Sequence, residues 1–307
     1  MDKNDKVIFE VICPPLNWQY AKKMEFIQRI SKIMIKNNIV YLNLPEIVDE
    51  NRNGDRTFKF SPKMKNYIFA REVVSYAKTE FNYNIEPIIN IVVPLIPKEK
   101  FLDHFDEIYG MGYRNFIFVG KDRSDIEYLG YEVTDATYII KSKYSDVRVG
   151  GIVIFHRDNE LKRVIKKMGV GMDFFVSQII YESVDLKSFL SSVFDVDISI
   201  YVSVAPICSY KELDFLRCLG VNLEQVKFVE NDIKTQSLNY IKKVVIDLLE
   251  INLLNIYKRK GTFLGVNVEH ITYSNLEVVD SIIGMINLKM ENLKLLRRSP
   301  LFRSGGI

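Results

Sequence analysis

The chain has little of what most metal and redox sites are built from. Its 307 residues hold three histidines, three cysteines and a single tryptophan. Cys13, Cys208 and Cys218 lack metal-ligand spacing, and their odd number argues against a disulfide framework. They read as buried free thiols of a reducing compartment. With so few histidines, a zinc cluster is excluded and no metal site is expected. Neither sign of charge dominates: 42 Lys and Arg stand against 39 Asp and Glu. That balance excludes a dedicated nucleic-acid binder, which needs a basic face or stripe.

Long apolar runs are missing as well. The stretch from Val244 to Tyr257 is interrupted by Asp247, Glu250, Asn252 and Asn255, so no membrane span is expected. The first residues, Met1-Asp2-Lys3-Asn4-Asp5-Lys6, contain no apolar signal core, and a cytoplasmic location follows. The pair Gly169-Val170-Gly171 precedes a strand instead of following one, which is the wrong order for a dinucleotide fingerprint.

What is present is a regular alternation of β-rich runs with stretches of helical period. Val7–Ile12 reads as a strand closed by Pro14-Pro15, which supply no ladder donors. Trp18–Lys36 reads as a helix, with Phe26, Ile27, Ile30, Ile33 and Met34 on one face. Strands follow at Ile39–Leu44, Ile88–Val93, Asn115–Val119, Gly151–Phe155, Asp173–Ser177, Ile198–Val204 and Phe263–Val268. Helices are expected between them, among them Lys65–Phe81, Lys98–Tyr109, Ile126–Lys141 and Asn159–Lys167, the last ended by a left-handed Gly169. About eight apolar strand–helix units predict a (β/α)8 TIM barrel spanning residues 1–296, with a flexible basic tail over 297–307. A doubly wound open sheet is the alternative. The polar segment Pro45–Pro62 is long enough to be a functional loop.

In such barrels, reactive groups project from the C-terminal strand ends. Glu10, Glu46, Asp122, His156, Gln178, Glu269 and His270 fall there. Glu10 lies between Phe9 and Val11, where a carboxyl in apolar surroundings acquires a raised pKa and suits general acid chemistry. Gln178 both donates and accepts through one planar amide, which suits a flat heterocycle. Each has a structural alternative: a buried paired carboxylate, or an amide satisfying backbone at the barrel rim. Lys162, Arg163, Lys166 and Lys167 form a basic helical face, a solvated surface or a phosphate contact.

Several segments resemble the methylenetetrahydrofolate reductases. Phe9-Glu10-Val11-Ile12-Cys13-Pro14-Pro15 resembles that family's opening, in which a strand Glu precedes Pro-Pro. Lys167 to Gln178 is similar to its stretch from a lysine to a Thr-Gln pair, Val204-Ala205-Pro206-Ile207 to a later strand end, and Gly265 to His270 to its closing segment. The resemblance implies reduction of 5,10-methylenetetrahydrofolate, or a related methylene-pterin, by NAD(P)H through FAD. It implies Glu10 as proton donor to the folate, and Gln178, Asp122 and Tyr181 as substrate-binding residues. Glu160 and Lys167 match positions near the flavin's ribityl and phosphate groups, and Gly120, Lys121 and His156 stand at or beside other cofactor positions. Departures mark a divergent branch. Lys121 occupies the expected carboxylate position, Ile91-Val92-Val93-Pro94 replaces a histidine motif, and Ile154-Phe155-His156-Arg157 replaces a Tyr-Pro-Glu motif. The partner implied is a small-molecule folate or modified pterin, with homo-oligomerisation left open. Two other functions stay in play: a pterin-binding methyltransferase-type barrel, and a non-catalytic barrel of the same family.

Overall fold

A computed structural model of the chain describes residues 6–47, 61–121, 127–193, 196–224, 226–254 and 262–298. The centre of the Pro45–Pro62 loop, Asp122 and the tail from residue 299 lie outside the described residues. Strands β1 (Val7–Val11), β2 (Tyr41–Leu44), β3 (Glu86–Val92), β4 (Asn115–Val119), β5 (Arg148–Val153), β6 (Phe174–Ser177), β7 (Ser199–Val204) and β8 (Phe263–Ile271) pair in chain order as a closed, all-parallel barrel. This is the (β/α)8 barrel expected, and the open-sheet alternative is overturned by the β1–β8 pairing.

Helices α1 (Tyr20–Lys36), α2 (Asn66–Phe81), α3 (Lys98–Gly110), α4 (Val133–Lys143), α5 (Glu160–Gly169) and α6 (Val184–Ser192) each follow one strand. Two helices, α7 (Tyr210–Cys218) and α8 (Ile233–Leu254), separate β7 from β8, and α9 (Leu276–Arg298) follows the last strand. The helical face anticipated on α1 buries Phe26, Ile27, Ile30 and Met34 against the barrel. Each such side chain contributes about 1.5–3 kcal/mol on leaving water. No helix among the described residues is long and apolar enough to cross a membrane.

Two local expectations are corrected. Helix α4 starts at Val133, not Ile126, because Gly130 is drawn onto the segment after β3: its amide donates to the Pro94 carbonyl at 3.0 Å. A Cβ there would meet Val93 O at 2.3 Å, so the chain runs as a close-packed loop before turning helical. The left-handed residue ending α5 is Gly171 (φ +99°), not Gly169, which is still helical. The amides of Gly171 and Met172 bond back to Met168 and Lys167, closing the helix one step later.

Inside the barrel, alternate residues of each strand meet at the axis. Its lower part is filled by Ile8, Tyr41, Ile88, Ile117, Phe174, Val176 and Tyr201. Glycine makes room for the large rings: a Cβ on Gly150 would lie 2.6 Å from the Phe174 ring, and one on Gly265 2.6 Å from that of Tyr201. The apolar plug leaves the polar side chains one layer higher, at the C-terminal strand ends.

Candidate functional site

The alternation that sends Ile8 into the plug sends Glu10 into the layer above it. Asn43 stands opposite Glu10 in the β1–β2 register. Its Nδ2 donates to Glu10 Oε2 at 2.6 Å, and Asn267 Nδ2 of β8 approaches the same oxygen at 3.3 Å. Asn267 Nδ2 also lies 3.1 Å from Ser203 Oγ and 3.0 Å from Glu269 Oε1. Burial pushes the Glu10 carboxyl up to about 7, against the opposing pull of the two amides. Burial, and then the charge of Glu10, hold Glu269 well above the usual carboxylate range.

Glu269 reaches this layer through a bulge. Phe9 pairs with Val268, but Val11 pairs with Ile271, so β8 carries one residue more than β1 across this step. His270 absorbs the irregularity at φ +57° and its carbonyl accepts Asn275 Nδ2 at 2.9 Å. In a regular strand, neighbours 269 and 270 would face opposite sides. Here both line one cavity. The His270 ring packs on Phe215 of α7, centroids 5.1 Å apart. Burial, and secondarily the charge of Lys63, lower its pKa to about 4, so the ring is neutral at physiological pH.

The cavity at the mouth measures about 200 Å³. Ile12, Val92, Val119, Ile179, Phe215 and Leu219 give it apolar walls, and Glu10, Glu46, Asn90, Glu269 and His270 its polar groups. Glu46 accepts the Val92 amide at 2.7 Å and thereby pins the chain leaving β2 to β3. The buried Oδ1 atoms of Asn43, Asn90 and Asn267 have no partner. An apolar pocket with a few convergent polar groups and perturbed carboxyls is the form expected of a binding or catalytic site.

The residues singled out in the sequence separate into groups. Glu10, Glu46, Glu269 and His270 converge on this cavity. Gln178 and Tyr181 line a smaller cleft next to it, with Ile179 common to both. Gln178 Nε2 donates to the Leu219 carbonyl at 3.0 Å, and the Tyr181 hydroxyl to that of Ala205 at 2.7 Å. His156 sits exposed on the rim of the smaller cleft. Among the cofactor positions, Gly120 follows β4, and the exposed Lys121 pairs with Glu132 at 2.6 Å. Glu160 is buried, accepting the Ile154 amide at 3.0 Å and pairing with Arg157 at 2.5 Å. Lys167 donates to the Ile152 carbonyl at 2.5 Å, and burial lowers its pKa to about 8. The polar atoms of Glu160 and Lys167, at the positions matching the family's phosphate and ribityl contacts, are engaged within the protein.

Asn43, Asn90, Ser203 and Asn267 were not anticipated. Asparagine is depleted in strands, and its recurrence near the upper ends of β2, β3 and β8 is the signal that marks the layer. The thiols are not uniformly buried as expected: Cys13 is buried, Cys208 half-buried and Cys218 exposed, because α7 turns the last outward. Among the described residues, no group of three or more His, Cys, Asp or Glu side chains is placed to hold a metal ion.

No family model matches the chain, and no curated protein matches it. Among solved structures, it is similar to an uncharacterized protein from Clostridium thermocellum that binds two copies of 5-methyl-5,6,7,8-tetrahydrofolic acid. The TM-score is 0.70 at 20% identity, over 93% of this chain and 95% of that one. A 7,8-dihydropteroate synthase from Vibrio fischeri aligns with TM-score 0.48 and 10% identity, over 96% and 95% of the two chains. At such identity the first likeness is one of fold: the chain has the same barrel architecture over nearly its whole length.

Proposed function

We propose that the barrel mouth binds a reduced folate or related pterin, and that Glu10 is the proton donor to it in reduction of a methylene-pterin to its methyl form by NAD(P)H. The observation that carries the reading is Glu10 itself. It is a buried carboxyl in the polar layer, poised near 7 and facing an apolar-walled cavity. A group with that pKa is an efficient acid at neutral pH. Binding of a tetrahydrofolate by a barrel of the same architecture supports the ligand class, as does the sequence resemblance around Glu10.

The chemistry balances as follows. Glu10 gives its proton to the arylamine nitrogen outside the pterin ring, the one that leaves the methylene carbon. That carbon–nitrogen bond breaks with its electron pair going to the protonated nitrogen, and the remaining nitrogen forms an iminium with the carbon. Hydride from NAD(P)H adds to the iminium carbon and gives the N-methyl product. The apolar walls keep water from the iminium.

A second reading has a specific observation in its favour. The positions matching the family's flavin contacts are tied up within the protein: Lys121 to Glu132, Glu160 to Arg157, and Lys167 to the Ile152 carbonyl. A pterin-binding barrel without redox chemistry needs none of them. Calorimetric titration with 5-methyltetrahydrofolate, followed by NADH and NADPH oxidation with methylenetetrahydrofolate in the presence and absence of FAD, separates the two. Turnover supports the reductase; folate binding without turnover under any condition supports the second reading; no folate binding rejects both.

A further inference from the structure

We propose that Glu269 is the proton-sharing partner of Glu10, the two carboxyls holding one proton between them across the side-chain amide of Asn267. Only the use of that proton, not its location, rests on the pterin-reductase reading.

The geometry is that of one amide spanning two acids. Asn267 Nδ2 lies 3.3 Å from Glu10 Oε2 and 3.0 Å from Glu269 Oε1. The bulge in β8 turns Glu269 into the same cavity that Glu10 faces. Glu10 is buried and Glu269 half-buried; two ionised carboxylates bridged by one amide repel, and the repulsion is relieved by retaining a proton. Among the described residues, no cation acts on either carboxyl. The other titratable groups facing the pair are Glu46, committed to the Val92 amide, Tyr181, committed to the Ala205 carbonyl, and the neutral His270. Lys63, the charge felt at this edge of the mouth, acts on Cys13 and His270.

A protonated carboxyl needs an acceptor, and two are waiting. The Oδ1 atoms of Asn43 and Asn267 are buried without a partner in the layer that holds Glu10. Turning either amide over exchanges its oxygen and nitrogen at little steric cost, so the same side chain donates to a carboxylate or accepts from a carboxylic acid. The flanking amides therefore match either proton state of the pair.

The consequence for the reaction is electrostatic. When Glu10 passes its proton to the ligand's leaving nitrogen, both carboxyls become anionic while the ligand becomes cationic, so the net charge of the filled site is unchanged. The paired anions then favour the iminium over the closed ring. Hydride addition neutralises the ligand, and a proton from water restores the pair.

The test uses the full chain without ligand, carrying carboxyl-labelled glutamate, with pH titration followed by NMR. In the unsubstituted protein one or both carboxyls should titrate above the ordinary glutamate range, with a proton retained on the pair at neutral pH. Glu269→Gln removes a like charge, so Glu10 should ionise at lower pH than before. Glu10→Gln should lower Glu269 by the same amount, because the coupling is reciprocal. If turnover is found, the basic limb of its pH profile should move to lower pH in Glu269→Gln. Unchanged titration of Glu10 in Glu269→Gln, or two ionised carboxylates at neutral pH in the unsubstituted protein, would overturn the proposal. The second outcome needs no variant to fold. Since no folate is present, failure to bind folate leaves the titration intact and rejects only the proposed function.

Discussion

At the scale of single residues, Glu10 joins chemistry to stability. Its neutral analogue, Glu10→Gln, keeps the shape but cannot give a proton. The substitution is expected to cut methylene-pterin reduction by the ~10²–10⁴ typical of a general acid while leaving folate affinity within a few-fold. NAD(P)H oxidation with methylenetetrahydrofolate beside calorimetry checks it, and equal loss of binding and rate would reject the role. The same carboxyl makes the fold pH-sensitive. Its folded pKa of about 7 stands above the unfolded value of 4.5. A group so raised contributes stability that is full below 4.5 and is lost as pH rises through 7. Over that window the loss approaches ~3 kcal/mol, at 1.36 kcal/mol per unit. His270 works in the opposite sense: its pKa is lowered from 6.5 to about 4, so its contribution is full above 6.5 and lost as pH falls through 4. Glu10→Gln is therefore expected to raise stability at pH 8 by up to ~3 kcal/mol and to leave it near the original at pH 4. Denaturant unfolding at both pH values measures this, and an unchanged midpoint at pH 8 would show that the carboxyl is not penalised by burial. Glu10 was legible in the sequence because a charged residue inside an apolar strand is costly unless used. Asn43 and Asn267 were not, since a single amide on a strand carries no such cost signal until its neighbours across the barrel are known.

At the scale of elements, the site depends on strand irregularities that composition and period do not reveal. The alternation along β1 and the apolar runs of the other strands were sufficient to count the barrel's units and to place Glu10 near the mouth. The bulge in β8 was invisible to the same reading. It arises from pairing with β1 and shows only as a register jump and the positive φ of His270. Gln178 illustrates the reverse case. Its position at the end of β6 was read correctly, but its side chain turns sideways to the Leu219 carbonyl and faces the adjoining cleft. Strand end and cavity are different properties, and only the first is written in the local sequence. Lower in β8, Gly265 tests the small-against-large packing of the plug. A Cβ there would lie 2.6 and 2.8 Å from the Tyr201 ring and 2.9 Å from the Lys6 carbonyl, and backbone cannot swing aside as a side-chain tip can. Gly265→Ala is expected to destabilise by ~1–3 kcal/mol, the usual cost of overpacking. It should also weaken ligand binding, because Asn267 and Glu269 ride on the same strand. A midpoint in chemical denaturation equal to that of the unsubstituted chain would mean the plug yields more readily than its geometry implies.

At the scale of the whole molecule, the barrel is closed by the pairing of its first and last strands, and the proposed site draws on that closure. Glu10 lies on β1, Asn267 and Glu269 on β8, and the Asn267 amide joins them across the seam. Phe215 and Leu219 come from α7 and the residue after it, and Asn90 and Val92 from β3, so a ligand in the cavity touches elements from around the barrel. Binding there stabilises the closed barrel as a unit and leaves the unfolded chain unaffected. Ligand at a hundred times its dissociation constant adds ~2.7 kcal/mol. With an unfolding entropy of about 2.1 cal/mol/K per residue, a chain of this size converts that into a rise in Tm of roughly 4 °C. 5-Methyltetrahydrofolate is expected to produce such a shift in the unsubstituted protein, and a smaller one in Asn267→Ala, where the amide across the seam is lost. The comparison within one pair of proteins separates occupancy of the mouth from adsorption elsewhere. An equal shift in both would move the ligand away from the Glu10–Asn267–Glu269 layer, whatever its affinity.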